Sequence, residues 1–217
     1  IIDADGSNLF PIPTTLGGDF EPAWSPDGKT IVFTSLRDGY MQIYSYNIEE
    51  NSVIRLVETL SDAPARRPSW SADGKQLVYS YKRVTTYELW LMDSFGDNER
   101  QLYASGDQLT NLNPFWSLDS EVILFYFLNI NEFALPDLYA LKLGSGDAPL
   151  RIYLGVISVE DAHYSPDGIW LAYESGSDRG YHVYYSTPSG GNQDRVTEDV
   201  FFDDFDPAWR PILKKDQ

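Results

Sequence analysis

The stretch "EPAWSPDGKTIVFTSLRDG", Glu21 to Gly39, decides the fold. It holds a Pro, a Trp, an Asp-Gly turn and an apolar run, and the chain then repeats it. "PAWSPDGKTIVFTS" (22–35) returns as "PSWSADGKQLVYSY" (68–81), "PFWSLDSEVILFYF" (114–127) and "AHYSPDGIWLAYES" (162–175), and "PAWRP" (207–211) begins a fifth copy. The aromatics Trp24, Trp70, Trp116, Tyr164 and Trp209 are spaced by 46, 46, 48 and 45 residues. Within each copy, Pro favours the first corner of a turn, Asp tolerates the second, and Gly takes positive φ without strain. "SPDG" therefore reads as a hairpin connector between two strands, not as a catalytic or metal-binding loop.

Each copy also has a second half: "QIYSYNIEENSVIRLV" (42–57), "ELWLMDSFGDNERQLY" (88–103), "DLYALKLGSGDAPLRIY" (137–153) and "HVYYSTPSGGNQDRVT" (182–197). These read as an apolar strand, a polar turn and a short strand carrying an Arg. A period of about 45 residues with four antiparallel strands is that of a β-propeller blade. The expected fold is all-β, with complete blades at about 19–60, 65–106, 111–156 and 159–200. "IIDADGSNLFPI" (1–12) aligns with "LMDSFGDNERQL" (91–102), the outer half of a blade. Residues 1–14 with 204–213 are thus expected to form a composite fifth blade that closes the ring. The alternative is a fragment of a propeller of six or more blades.

Composition agrees. Aromatics reach 15% of the 217 residues, with 16 Gly and 13 Pro, which favours short strands and tight turns. A formal charge of −17 disfavours nucleic acid and anionic membranes as partners. With no cysteine there is no disulfide framework, thiolate metal site or Cys nucleophile. No run approaches the length needed to span a bilayer as a helix, so membrane insertion is not expected. The start at Ile1 reads as a mature product or a fragment.

The unit P-x-W-S-P-D-G-K-x-[IL]-x-[FY]-x-S stands here as Pro22-Ala23-Trp24-Ser25-Pro26-Asp27-Gly28-Lys29, followed by Arg37-Asp38-Gly39 and Ile43-Tyr44. It resembles the WD-like repeat of TolB-type β-propellers, and "DADGSN" (3–8) is similar to that repeat's outer turn. The resemblance implies a non-catalytic propeller of the kind found in periplasmic Tol-system proteins, in prolyl-oligopeptidase-like enzymes and in extracytoplasmic scaffolds. Blade 3 departs from the pattern with "SLDSE" and a longer "LNINEFALP" loop.

Candidate chemistry is sparse. Asp3, Asp5 and Ser7 are spaced like the start of a Ca²⁺ loop, but the twelfth position is Thr14 rather than an acid, so a turn is expected and no cofactor. The two histidines, His163 and His182, have no nucleophile elbow beside them. An innermost strand alternates its side chains, so positions three and five before the key aromatic share a direction. They are Glu21 and Asp19, Arg67 and Ala65, Asn113 and Asn111, Asp161 and Val159, and Asp206 and Asp204. With His163, these polar residues form the candidate ligand- or partner-binding mouth. Phe127 and Phe133, assigned to the blade 3 loop, are candidate contact residues, because insertions in repeat folds often lie on the binding face. The expected function is binding or scaffolding of a protein or peptide outside the cytoplasm. The alternatives are a glycan-binding or glycoside-hydrolase-type propeller, with a small saccharide as ligand, and the regulatory propeller of a larger hydrolase or receptor.

Overall fold

The repeated apolar runs become the middle strands of four antiparallel sheets in the computed structural model. The structure describes residues 1–3, 5–13, 17–57, 63–106, 109–129, 135–154, 158–177, 180–197, 203–204, 207 and 209. Blade 1 is β1 (Asp19–Trp24), β2 (Thr30–Ser35), β3 (Gln42–Asn47) and β4 (Ser52–Arg55). Blade 2 is β5 (Ala65–Trp70), β6 (Gln76–Arg83), β7 (Thr86–Asp93) and β8 (Arg100–Tyr103). Blade 3 is β9 (Leu109–Trp116), β10 (Val122–Asn129), β11 (Asp137–Lys142) and β12 (Leu150–Arg151). Blade 4 is β13 (Glu160–Tyr164), β14 (Leu171–Ser177), β15 (Gly180–Ser186) and β16 (Asp194–Arg195). Every sheet pairs its strands in sequence order. Ile1–Ala104 and Ser105–Gln217 form two compact units, each holding two blades, and each is described by itself.

The "SPDG" turns are built alike in all four blades. The hydroxyls of Ser25, Ser71, Ser117 and Ser165 donate to the Oδ1 of Asp27, Asp73, Asp119 and Asp167 at 2.5–2.7 Å. The same hydroxyls accept the N–H that opens the next strand, that of Thr30, Gln76, Val122 and Trp170, at 2.9–3.0 Å. Each Asp also accepts the N–H two residues on, at 3.0–3.1 Å. The Ser hydroxyls and the other backbone donors hold all four carboxyls below their ordinary value. The motif's chemistry is used up in closing the turn. In blade 3, Ser120 takes the glycine's place at φ 58°.

Each sheet has two faces, and within each unit the outgoing face of the first blade meets the second. In the first unit the outgoing face of blade 1 (Val32, Ile43, Leu56, Val57) packs on Leu77, Tyr79, Tyr81 and Met92 of blade 2. In the second, Leu124 and Leu138 of blade 3 meet Leu171 and Tyr173 of blade 4. Burial of each such side chain contributes about 1.5–3 kcal/mol, which makes these aliphatic–aromatic seams the main source of cohesion. Gly96 (φ 91°) and Gly190 (φ 89°) bring the outer hairpins of blades 2 and 4 against the preceding blade. A Cβ there would stand 2.6 Å from the Leu56 carbonyl oxygen and 2.3 Å from that of Tyr153.

The first residues repeat the outer turn of blade 2. Asp3 N–H bonds to Ser7 O as Asp93 N–H does to Asp97 O, and Asn8 Nδ2 donates to Asp3 Oδ2 as Asn98 does to Asp93. Ile1 and Phe10 exchange both backbone bonds, and Ile1 and Ile12 pack on the incoming face of blade 1 beside Phe33 and Tyr46. Asp5 accepts the Ser7 hydroxyl, so this segment is a turn. Of the expected C-terminal strand, only Asp204, Pro207 and Trp209 lie among the described residues. The Trp series does not share one environment. Trp116 is buried and Trp70 packs in the blade 1–2 seam, whereas Trp24 is 53% exposed.

Candidate functional site

The candidate mouth residues sit on the first strand of each blade, and that strand is not a straight alternation. It is bulged in every blade: the pairing register slips between Phe20 and Ala23, Arg66 and Ser69, Leu112 and Phe115, and Glu160 and His163. Glu21, Arg67, Asn113 and Asp161 each occupy the left-handed region, at φ 54°, 55°, 48° and 42°. The bulge corrects the premise that positions three and five before the aromatic share one uninterrupted direction. It also explains a second feature. An amide turned out of its own ladder needs another acceptor. In the first unit Arg67 N–H donates to the Thr34 hydroxyl (3.2 Å) and to Glu21 (3.0 Å) on blade 1. In the second, Ala162 N–H donates to the Tyr126 hydroxyl of blade 3 at 2.6 Å. A hydroxyl on the middle strand of one blade thus latches the bulge of the next.

In blade 1 the acids are held by arginines. Glu21, its side chain 11% exposed, accepts from Thr34 (2.7 Å) and from Arg66, and pairs with Arg67 Nε at 2.8 Å. Burial alone would raise its carboxyl, but the bonds from Arg66 and Thr34 and the two positive charges bring it below the ordinary value. Asp19 pairs with Arg37 at 3.0 Å, and Arg37 lies over the rings of Phe33 and Tyr44. Asp38 accepts from Tyr44 at 2.5 Å and lies 3.6 Å from Arg55. The Arg37-Asp38 pair therefore ties together strands of a single blade.

Several candidates are placed differently from the expectation. Asn111 is fully buried, its amide donating to Ser105 at 2.9 Å, so it lies inside the second unit rather than at a mouth. Asn113 is the left-handed bulge residue of blade 3 and half-buried. His163 lies beyond the bulge on the turn side; its exposed ring is 6.2 Å from that of Phe115 and its carbonyl accepts from Trp209. Phe127 is half-buried against Tyr139, with ring centroids 4.9 Å apart, because it lies within β10 and not in the loop. Phe133 and Asp206 lie outside the described residues.

Blade 4 brings several acids together. Glu160 and Glu174 are direct cross-strand partners. Asp203 Oδ1 accepts Tyr181 N–H at 2.8 Å, and Asp204 N–H donates to Tyr181 O at 3.0 Å. Burial, and then the charge of Asp161, push the Glu160 carboxyl above its ordinary value. The charge of Glu160, slight burial, and the charges of Glu174 and Asp203 push the phenol of half-buried Tyr181 up. Buried His182 lies behind them, its Nδ1 3.1 Å from Arg195 and 3.7 Å from Asp204. Glu174, His182 and Asp203 were missed as candidates. A signal existed: Glu174 takes the middle-strand position filled by Thr34, Ser80 and Tyr126, a buried hydrogen-bonding group in each apolar run.

Comparison with known proteins follows the repeat. The family model described as the TolB beta propeller domain matches residues 1–131. No curated protein matches the chain. Among solved structures, TolB from Acinetobacter baumannii is similar at TM-score 0.76 and 20% identity, over 90% of this chain and 47% of that one. The putative TolB from Agrobacterium tumefaciens is similar at 0.69 and 21%, over 81% and 63%. An oligogalacturonate lyase from Vibrio parahaemolyticus is similar at 0.66 and 14%, over 92% and 58%. The chain thus spans less than two thirds of the length of each of these proteins. Among the described residues no helix is long and apolar enough to cross a membrane. On the repeat, the four-stranded sheets and the family match, the chain belongs to the TolB β-propeller family.

Proposed function

We propose that this chain is a non-catalytic propeller domain that binds a protein or peptide partner through the acidic mouth of blade 4. The observation that carries the reading is the like-charge cluster around Tyr181. A carboxyl raised by burial and then by a neighbouring acid, and a phenol raised mainly by three acids, fit a site suited to a cationic group. The partner segment is accordingly basic, with a Lys or Arg answering Glu160 and Asp161. Resemblance to periplasmic Tol-system proteins supports a location outside the cytoplasm.

The reading is tested by probing an array of 12-residue peptides of graded charge with the labelled chain. Binding to Lys/Arg-rich peptides should weaken as salt rises and fall about tenfold in the Glu160→Gln, Asp161→Asn double variant. Asp27→Asn, at the turn end of blade 1, should leave it unchanged. Binding that ignores both peptide charge and the double substitution overturns the reading.

A further inference from the structure

Between blades 1 and 2, on the turn side of their apolar seam, lies a cleft of about 620 Å³. Small-molecule sites span about 300–1,000 Å³. The turns at 25–27, 47–52, 73–74 and 94–95 border it, and all of them fall inside the continuously described stretches 17–57 and 63–106. Close packing fixes its walls. Gly74 faces the Pro26 ring, where a Cβ would stand 3.7 Å from Pro26 Cδ. Gly96 seats the outer hairpin of blade 2 against Leu56, and Asp93 Oδ1 accepts the Phe95 N–H at 3.1 Å.

The floor continues the outgoing face of blade 1 past Val32, Ile43 and Leu56. Thr30 follows on β2, Ser45 and Asn47 on β3, and Ser52 and Ile54 on β4. Ser45 is only 7% exposed and lines the cleft, yet its hydroxyl has no hydrogen-bond partner among the described residues. The Thr30 and Ser94 hydroxyls and the Asn47 Nδ2 are likewise unpartnered there. Above this floor stand half-buried Trp70 and the 79% exposed ring of Phe95. The blade plan does not require these groups. Cross-strand pairing puts Val122, Ala140 and Lys142 of blade 3 at the positions of Thr30, Ser45 and Asn47. In the outer turn of blade 4, Ser189 stands where Phe95 does.

These groups select the chemistry of a ligand. Asp27, Glu50 and Asp73 also line the cleft, and each already accepts a hydroxyl from its own turn, that of Ser25, Ser52 and Ser71. Asp73 lies 3.2 Å from Lys75 Nζ as well. A carboxylate only accepts, an amide nitrogen only donates, and a hydroxyl does both. A partner's Lys or Arg offers donors alone and would leave Asn47 Nδ2 without an acceptor. An anionic ligand would meet three carboxylates. A neutral sugar both donates and accepts, and its C–H face packs on an aromatic ring. We infer that the blade 1–2 cleft binds a neutral saccharide, with a ring face on Phe95 beside Trp70 and hydroxyls bonded to Thr30, Ser45 and Asn47. The site lies in the first unit and stands or falls independently of the acidic mouth of blade 4.

The probe is an array of neutral oligosaccharides of hexose and N-acetylhexosamine units, with cationic hexosamine and anionic uronate oligomers beside them, read with the labelled full chain. Retention on neutral members is expected, and the best of them is then titrated in solution by calorimetry. Phe95→Ala should weaken binding about tenfold, and the exposure of Phe95 makes that variant safe for folding. Ser45→Ala removes only an unpartnered hydroxyl, so it should weaken binding about three- to tenfold with an unchanged thermal transition. Glu160→Gln should leave binding intact. No retention of a neutral saccharide, or insensitivity to either cleft substitution, overturns the inference. So does stronger retention of the cationic or uronate oligomers, since charge rather than hydroxyl pairing would then select the ligand.

Discussion

Blades 1 and 4 follow one plan and meet two different fates. Both have the Ser–Asp turn, the left-handed bulge, and an Arg on the fourth strand bonded to the carbonyl two residues on. In blade 1 the bulge acid is answered by Arg66 and Arg67 and the outgoing face is sealed by Leu77 and Tyr79. In blade 4 the acids stand beside other acids, and Val196 on the outgoing face is exposed where its counterpart Leu56 is buried. The repeated residues build the blade, whereas the residues between repeats decide whether it is structural or available for binding.

The sharpest way to break the comparison is to remove what makes blade 1 structural. Glu21→Ala leaves two arginines and the Arg67 amide without their shared acceptor. Losing one partner of a buried pair costs 3–5 kcal/mol, but Arg66 and Arg67 are about one third exposed, so about 2–3 kcal/mol is expected in urea unfolding. The pH dependence has a definite sign. Glu21 has a folded pKa below its unfolded value near 4.5, so its contribution is present at neutral pH and is lost as pH falls through the folded value. The variant should therefore lose its deficit in acid. The equivalent change at Asp161 should cost less, and equal costs at the two positions would dissolve the contrast.

A smaller effect tests the latch that the two units share. Tyr126→Phe keeps the ring and removes only the oxygen that accepts the buried Ala162 N–H at 2.6 Å. An orphaned buried donor costs about 1–3 kcal/mol, and the loss should appear as a lower unfolding midpoint with unchanged denaturant slope. A neutral result would mean that the bulge amide finds another acceptor.

The plan itself was legible in the sequence, because turn chemistry and apolar runs are local. Ser25 and Asp27 need only each other and the next few residues to fix the first hairpin. The bulge was not legible. It is a register slip between two strands, and nothing in "DFEPAW" marks Glu21 as left-handed. Once the bulge is present, Arg66 beside Arg67 reaches Glu21, a partner that alternation counting passes over. Asn111 was misplaced for a related reason: a polar residue at the expected spacing looks like a lining residue, while its amide is bonded inward to Ser105. Glu174 and His182 were overlooked because each lies within an apolar strand, where a polar residue is easily read as an interruption rather than a position.

The smallest predicted effect has the opposite sign and is the most diagnostic. Glu160 has a folded pKa above its unfolded value because of burial and the charge of Asp161. Between the two values the folded state binds the proton more tightly, so stability falls as pH rises through that window and the penalty persists at neutral pH. Glu160→Gln removes the penalty. Because the group is partly solvated, the gain at pH 7 should be only about 0.5 kcal/mol, vanishing well below pH 4.5 where both side chains are neutral. Thermal melts across pH 3–8 would show the variant and the parent converging in acid, as Glu21→Ala also does, but from the stabilised side. A Glu160→Gln variant that is less stable than the parent at neutral pH would mean that the acid is held by a cation after all. Blade 4 would then be another blade 1, and the case for a basic partner at its mouth would go with it.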